Sequence, residues 1–401
     1  MSASTGCPHA RFAQLREQAP VSEIAPGVWA VTRHADVQRV LRDPQGFSAR
    51  VSDGNDFALF GPSPVQAQID EIMADYPERP VLMRTDPPEH KRVRNVVARV
   101  LTPTEVVKFE PRIRAIVTEL MACWIRRGSV EFVNEFAMPL PGSVTTDFIC
   151  GEPEMRERFR FWAGEIMSRV AGPQAPERQL EVARNVAQMG RYFLDRIAAR
   201  RKAPTGDLIS LVANARTDDG QALEDVAIVN VLETFMVGGN ETTTFLLGNC
   251  LLRLAGEPEL AARLRERTDL LPGFIEEMLR LEAPAQAVIR KTTGAAEFDG
   301  VVIPAGAMVM AYLVSANRDE CAFAEPTQLN IQRPAGSRHL AFGDGNHSCL
   351  GLQLARAEVR IALEMLLPAM QDIRLLAEVE WLQNDFLRGP LRLQLGFRHG
   401  E

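Results

Sequence analysis

Close to the C-terminal end, Phe342-Gly-Asp-Gly-Asn-His-Ser-Cys349-Leu-Gly351 leads straight into an amphipathic, helix-like stretch. A cysteine at the mouth of a helix sits near free backbone N–H groups and the positive end of the macrodipole, which favour thiolate over thiol. Gly343 and Gly345 permit a tight loop that turns amides toward the sulfur, and Gly351 leaves room for something large and flat against the helix start. A single cysteine is too few for a zinc or iron–sulfur site, so this socket suits the iron of a haem. The competing reading is a buried structural cysteine at a helix cap, because buried free cysteines are common.

Three further groupings carry chemistry. Gly238-Gly239-Asn240-Glu241-Thr242-Thr243 lies inside a long helical pattern. Two adjacent glycines there cost about 2 kcal/mol relative to alanine, so they need a reason. They let a ligand approach the backbone and let the helix distort, while Thr242 bonds a carbonyl of the previous turn or a water. An acid beside a hydroxyl suits a proton relay; a close helix–helix crossing with Glu241 on a solvated face is the alternative. Glu277 and Arg280 stand one helical turn apart, a spacing most often seen in weak surface ion pairs. His90 and Arg94 stand four apart behind Asp86-Pro-Pro, where paired cationic donors would hold carboxylates or a basic helix face would simply be solvated.

The elements that must position these residues are mostly helical. Val28 to Arg33 reads as a short strand, Ala35 to Arg42 as a helix with Val37, Val40 and Leu41 on one side, and Ser52 to Pro88 as an irregular loop with a short helix around Gln66 to Ala74. From His90 to about Leu281 the period is mainly 3.6, and a single long helix is expected from Glu224 to Ala255, ended by Gly256 and Pro258. At ~1.5 Å per residue it would run on the order of 45 Å. After Pro284 come short strands such as Val301 to Pro304 and Met308 to Tyr312, then a helix from about Leu352 to Leu367. With no linker, repeat or composition shift in 401 residues, the chain reads as mainly α, one large helical domain with small sheets.

Composition sets limits. The balance of 45 Lys and Arg against 52 Asp and Glu gives a net charge of −7, which argues against a general nucleic-acid binder. Hydrophobic residues at 46% and charged residues at 24% exclude disorder and collagen-like repeats. Six scattered cysteines without a C-x-x-C pair fit a reducing cytosol, and no signal-peptide pattern or long apolar run is present, so a cytoplasmic protein without a membrane anchor is expected.

Taken together, these motifs resemble the cytochrome P450 family of haem-thiolate monooxygenases. The family pattern Phe-x-x-Gly-x-x-x-Cys-x-Gly is met by Phe342, Gly345, Cys349 and Gly351. Its Glu-x-x-Arg is met by Glu277 and Arg280, and Ala316 to Asp319 with Arg333-Pro334 match two further stretches. The likeness runs from about Pro20 to Phe397, giving a haem domain over 20–401 behind an N-terminal extension of 1–19, and is greatest to bacterial members without an anchor or fused reductase. It implies the P450 fold with a long central helix over the haem, haem b (iron protoporphyrin IX) on the Cys349 thiolate, and dioxygen as co-substrate. Phe342, Gly343, Gly351 and Gly238 would lie against the haem; His90, Arg94, Arg290 and His347 would hold its propionates. Arg333 would join Glu277 and Arg280 in a buried structural network. Glu241 and Thr242 would be the acid–alcohol pair that delivers protons while dioxygen is reduced; the family's more usual acid is Asp.

The resemblance also places substrate contacts on the Ser52 to Met83 loop, Thr234, Val237, Gly238, Val288, Ile289, Phe386 and Leu387. These are mostly apolar, so a small to medium hydrophobic molecule is the expected substrate, hydroxylated or oxidatively dealkylated. Phe57, Phe60 and Tyr76 read as packing residues. Electrons would come from NAD(P)H through a reductase and a ferredoxin or flavodoxin. Between His90 and Arg114, seven Lys or Arg stand against two acids, a basic patch in an acidic chain where an acidic ferredoxin would dock. The other function class is a haem-thiolate protein without oxygenase activity, such as a ligand sensor, reductase or isomerase; the Glu241–Thr242 pair argues for the oxygenase.

Overall fold

A computed structural model of the chain describes residues 8–51, 62–76, 82–334, 338–382 and 384–400. Phe57 and Phe60 lie outside the described residues. Helices dominate and the strands are short, so the expected mainly α architecture with small sheets is found. The chain forms two compact units interleaved along the sequence. One takes in the chain up to Ser48, Lys108–Pro141 and everything from Glu241 onward; the other is Ala49–Val107 with Gly142–Asn240.

Among the described residues, the sheets lie in the first unit. Five strands lie in the order Val21–Ala25, Val28–Val31, Met308–Ala311, Val288–Thr292, Phe47–Ser48. Val28–Val31 runs parallel to Met308–Ala311, and Val288–Thr292 runs antiparallel to it with Arg290 opposite Val309. The helix His34–Arg42 buries Val37, Val40 and Leu41, the side its spacing predicted, in a core shared with Phe47, Val309 and Leu340. That core ends two residues before Phe342. The stretch read as an N-terminal extension contributes a helix, His9–Gln18, whose Phe12 ring lies 4.8 Å from Tyr312 and whose Arg16 guanidinium bonds the Ser315 carbonyl at 3.2 Å.

Among the described residues, the second unit is built of helices joined by loops, with one isolated antiparallel bridge between Arg216 and Ala222. Pro176–Lys202 is its longest helix, and Phe159 and Trp162 of the helix Arg156–Ala171 meet Tyr192 and Phe193 of it in one aromatic cluster. Pro at its first turn starts the long helix where a missing N–H costs nothing. The short helix Gln66–Ile72 falls where the sequence placed one.

One expectation is corrected. The long helix of 224–255 is two helices, Asp225–Gly238 and Asn240–Gly256, with Gly239 between them. The Gly239 N–H still reaches Phe235 O at 3.2 Å, so the ladder is distorted rather than abandoned. A Cβ on Gly239 would stand 3.0 Å from Thr145 Oγ1 and 3.2 Å from Phe235 O, so the missing side chain is what lets Thr145 come so near. The division between the two units falls just after, at Asn240 and Glu241.

Candidate functional site

The Cys349 loop of the first unit is fixed from three sides. Cys349 N–H donates to Phe342 O at 2.8 Å, closing the loop on itself, and Gly343 and Gly345 adopt φ of +69° and +64°. Both values favour glycine. Gly345 also sits against the end of His34–Arg42, where a Cβ would come 2.6 Å from Leu41 O. Asp344 holds the same helix: its Oδ2 accepts from Gln38 Nε2 and Arg42 Nε, both at 2.9 Å, and its Oδ1 from Gly345 N. Desolvation works against the Asp344 carboxylate, yet these donors keep its pKa below the usual range.

Phe342 is fixed by charge. Arg356, one turn into the helix Leu352–Ala369, lies 4.7 Å above the ring centroid. Arg356 is in turn gripped by both oxygens of Glu276, at 2.7 and 2.8 Å, and His339 Nε2 lies 3.2 Å from Glu276. Partial burial pushes the Glu276 carboxyl up, but His339 and Arg356 outweigh it and bring the pKa down to about 2.

Beside Glu276, the expected structural network is present. Arg280 Nε and Nη2 bond the two oxygens of Glu277 at 2.7 and 2.9 Å, and Arg333 Nε bonds Glu277 Oε1 at 2.9 Å. Asn330 N–H adds a third kind of donor at 2.8 Å. The remaining Arg280 protons meet the carbonyls of Asn317, Pro326 and Gln328. Glu277 and Arg280 are 3% and 1% exposed, so the surface-pair alternative fails for them. Asn317 carries the order forward, since its Oδ1 accepts from Leu340 N at 2.6 Å, at the start of the Phe342 loop. The Ala316 to Asp319 match is thereby explained as scaffolding, with Asp319 Oδ2 capping His34 N at 2.7 Å.

Glu241 and Thr242 open the helix Asn240–Gly256 immediately after the break. The Glu241 tip is open to solvent, yet enough protein surrounds it that desolvation alone raises its pKa. A carboxyl shifted that way holds its proton nearer neutral pH, as a proton donor must. Thr242 is half-buried, while Thr243 and Thr244 are buried, with Thr244 Oγ1 donating to Ala137 O at 3.0 Å.

Other predicted contacts in this unit come together in part. Gln286 N bonds Phe386 O at 2.7 Å and Arg388 N bonds Pro284 O at 2.8 Å, so Phe386 and Leu387 lie beside the residues leading into the strand of Val288, Ile289 and Arg290. Arg290 is buried with Nη1 on Ile289 O at 2.8 Å, and His347 is half-buried within the loop. In the second unit, His90 and Arg94 lie on the helix Glu89–Val100, His90 almost fully buried and Arg94 half-buried. Thr234, Val237 and Gly238 occupy the last turns of Asp225–Gly238, and a Cβ on Gly238 would meet nothing within 4 Å. Tyr76, read as packing, also makes hydrogen bonds through its hydroxyl.

The residues that sequence reasoning missed are Glu276, His339, Asp344 and Arg356. Their partners stand tens to hundreds of positions away, and only the adjacency of Glu276 to the Glu277 motif offered a signal.

The donor set fits a haem. Among the described residues no group of three or more His, Cys, Asp or Glu could hold a bare metal ion, so Cys349 is a lone donor and suits a metal whose other ligands are brought by a macrocycle. Gly351 lies next to the sulfur, where a Cβ would stand 3.9 Å from Cys349 Sγ, in ordinary van der Waals contact.

Comparison with known proteins agrees. Residues 178–371 match the family model for cytochrome P450. The chain is 36% identical to Cytochrome P450 107B1 of Saccharopolyspora erythraea, over 96% of this chain and 94% of that protein. It is also 36% identical to the erythromycin C-12 hydroxylase of the same organism, over 87% and 84% of the two chains. The structure of CYP109Q5 from Chondromyces apiculatus superposes with a TM-score of 0.85 at 34% identity, covering 98% of this chain and 96% of that one. No helix among the described residues is long and apolar enough to cross a membrane. With its closed Cys349 loop, its buried Glu-x-x-Arg network and relatives matching nearly end to end, this chain belongs to the cytochrome P450 family and is a monooxygenase of that family.

Proposed function

We propose that the protein hydroxylates or oxidatively dealkylates a small to medium hydrophobic molecule, with electrons from NAD(P)H delivered through a reductase and a ferredoxin. When bound, a haem supplies the activation of dioxygen, one atom entering the substrate and the other leaving as water. The observation that carries the reading is the Cys349 loop, closed on itself and braced by Asp344 and Arg356 so that one thiol is presented beside a glycine.

Each residue has its part. Cys349 would ligate the iron as thiolate, and Phe342, Gly343, Gly351 and Gly238 are the residues proposed to lie against the haem. His90, Arg94, Arg290 and His347 supply cationic and N–H donors for its propionates. Glu241 holds a proton that Thr242 passes inward through its hydroxyl, which both accepts and donates. Thr234, Val237, Val288, Ile289, Phe386 and Leu387 are the proposed substrate contacts, and their mostly apolar side chains would orient a hydrophobic substrate and exclude water. The hydroxylase among the relatives supports hydroxylation as the reaction type.

For the ferredoxin, the basic run between His90 and Arg114 is the motive. Part of its excess is matched by distant acids: Arg99 bonds Asp218 at 2.8 Å and Arg114 pairs with Glu364. Lys91 and Arg92, both exposed, are the docking cations we favour.

Two measurements test this reading. The reduced carbon monoxide adduct of the purified protein should show the red-shifted band of thiolate ligation, absent in Cys349→Ala; a band that survives the substitution rejects Cys349 as ligand. In turnover with ferredoxin, reductase and NADH, Thr242→Ala should keep substrate binding but send most electrons to hydrogen peroxide, and unchanged coupling to product would remove the relay role.

A further inference from the structure

The second unit contains a buried polar cluster that the reaction does not use. Glu233, on the helix Asp225–Gly238, is 5% exposed and accepts from Arg169 Nη2 at 3.0 Å. Arg169 is 6% exposed and comes from the helix Arg156–Ala171. The Tyr76 hydroxyl lies 3.0 Å from the other Glu233 oxygen and 2.7 Å from Asn230 Oδ1. Tyr76 is 4% exposed and follows the short helix Gln66–Ile72. A fourth element completes the arrangement: a Cβ on Gly190, in the helix Pro176–Lys202, would stand 2.8 Å from Tyr76 Cγ and Cδ1. Glycine at 190 is what allows the ring to come so close to that helix.

The location gives the cluster its consequence. Asn230 and Thr234 are four apart, joined by a bond from Thr234 Oγ1 to Asn230 O at 2.8 Å. Glu233 and Val237 are likewise four apart, so both members of the cluster on this helix stand one turn before, and on the same faces as, the two proposed substrate contacts. A buried ion pair confers geometry more than stability, and here a phenol hydroxyl ties a separate segment to that geometry.

We propose that Tyr76, seated on Gly190 and bonded to Glu233 and Asn230, is a specificity-determining positioning residue: it fixes the 62–76 segment at the turn that presents Thr234 and Val237, so that larger ligands bind a preformed surface. Tyr76 acts through these residues and does not react. The selectivity half of this inference rests on the haem reading; the structural half does not.

The test uses the holoenzyme and two substitutions. Tyr76→Phe keeps the ring and removes the hydroxyl, whereas Gly190→Ala keeps the hydroxyl and displaces the ring. Optical titration compares imidazole, which needs only the iron, with clotrimazole, which is bulky enough to reach the surrounding wall. Both substitutions should weaken clotrimazole about tenfold, the equivalent of one hydrogen bond to a charged group, and leave imidazole within about twofold. Hydrogen exchange should show faster exchange in peptides covering 66–76 in both variants. Equal weakening of the two azoles, or unchanged exchange over 66–76, overturns the proposal. If the unsubstituted protein gives no azole-induced spectral change, the haem reading falls and the exchange result alone decides the role of Tyr76.

Discussion

The loop that presents Cys349 and the helix that presents Thr234, Val237 and Gly238 are held in opposite ways. Around the loop, fixed polar contacts succeed one another: Asp344 on Arg42, Glu276 on Arg356, Glu277 on Arg280 and Arg333. Along the helix, most buried side chains are Ile, Val, Leu and Met, one polar cluster lies a turn away, and the ladder is distorted at Gly239. A group that must point one donor at one metal needs directional bonds, which fix angles. A surface that must admit and release apolar ligands works through non-directional burial. Rigidity and permissiveness are thus allotted to different parts of the chain.

Removing a fixed contact should break the first region outright. Arg280→Ala leaves the buried Glu277 carboxylate without its bidentate partner and three carbonyls without donors. A loss of about 3–5 kcal/mol is expected, seen as little soluble protein or a lowered urea midpoint. Thr234→Ala, by contrast, should change stability by less than ~1 kcal/mol, because it removes one bond to a carbonyl already in the helix ladder. Comparable losses in the two variants would erase the contrast between the regions.

The contrast also explains what could be read from sequence. The Cys349 loop, the Glu-x-x-Arg pair and the acid–alcohol pair are short-range patterns; each alone has a common alternative reading, and they became legible only when taken together. The helix His34–Arg42 and the strands at 28–31, 301–303 and 308–311 were legible from periodicity for the same local reason. The continuous helix over 224–255 was the wrong inference: its helical pattern continues through Gly238 and Gly239, whereas the structure breaks at Gly239, beside Thr145 from a distant part of the chain. Likewise, nothing in the residues near Glu276 announces that Arg356, 80 positions on, will clamp it over Phe342.

Acid titration gives a gentler probe of the fixed region. Glu276 has its pKa lowered to about 2 from an ordinary 4.5, against the desolvation that opposes it, by His339 and Arg356. A carboxyl depressed in the folded state stabilises the fold fully above pH 4.5, and that contribution disappears as pH falls from 4.5 toward about 2. Glu276 is partly exposed, so solvent screening holds its worth to about 1 kcal/mol. Glu276→Gln should therefore be less stable than the parent at neutral pH and should lose less on acidification. Thermal melts at pH 7, 4 and 3 would show the two curves converging; parallel curves would mean that the clamp contributes no charge-dependent stability.

The smallest effect tests the permissive region, and its sign is opposite. Gly238 is helical, has φ outside the left-handed region, and a Cβ there would meet nothing within 4 Å. Alanine is favoured over glycine in a helix, and it also narrows the unfolded ensemble. Gly238→Ala should thus raise stability by about 0.5–1 kcal/mol, a rise of a few degrees or less in a chain of this length. A glycine kept where alanine would be more stable points to space that a ligand needs. The same variant should therefore bind an azole or hydrophobic ligand more weakly in a haem spin-state titration while melting higher. Higher melting with undiminished binding would show that Gly238 faces no ligand, and its place would then be explained by the distortion at Gly239 alone.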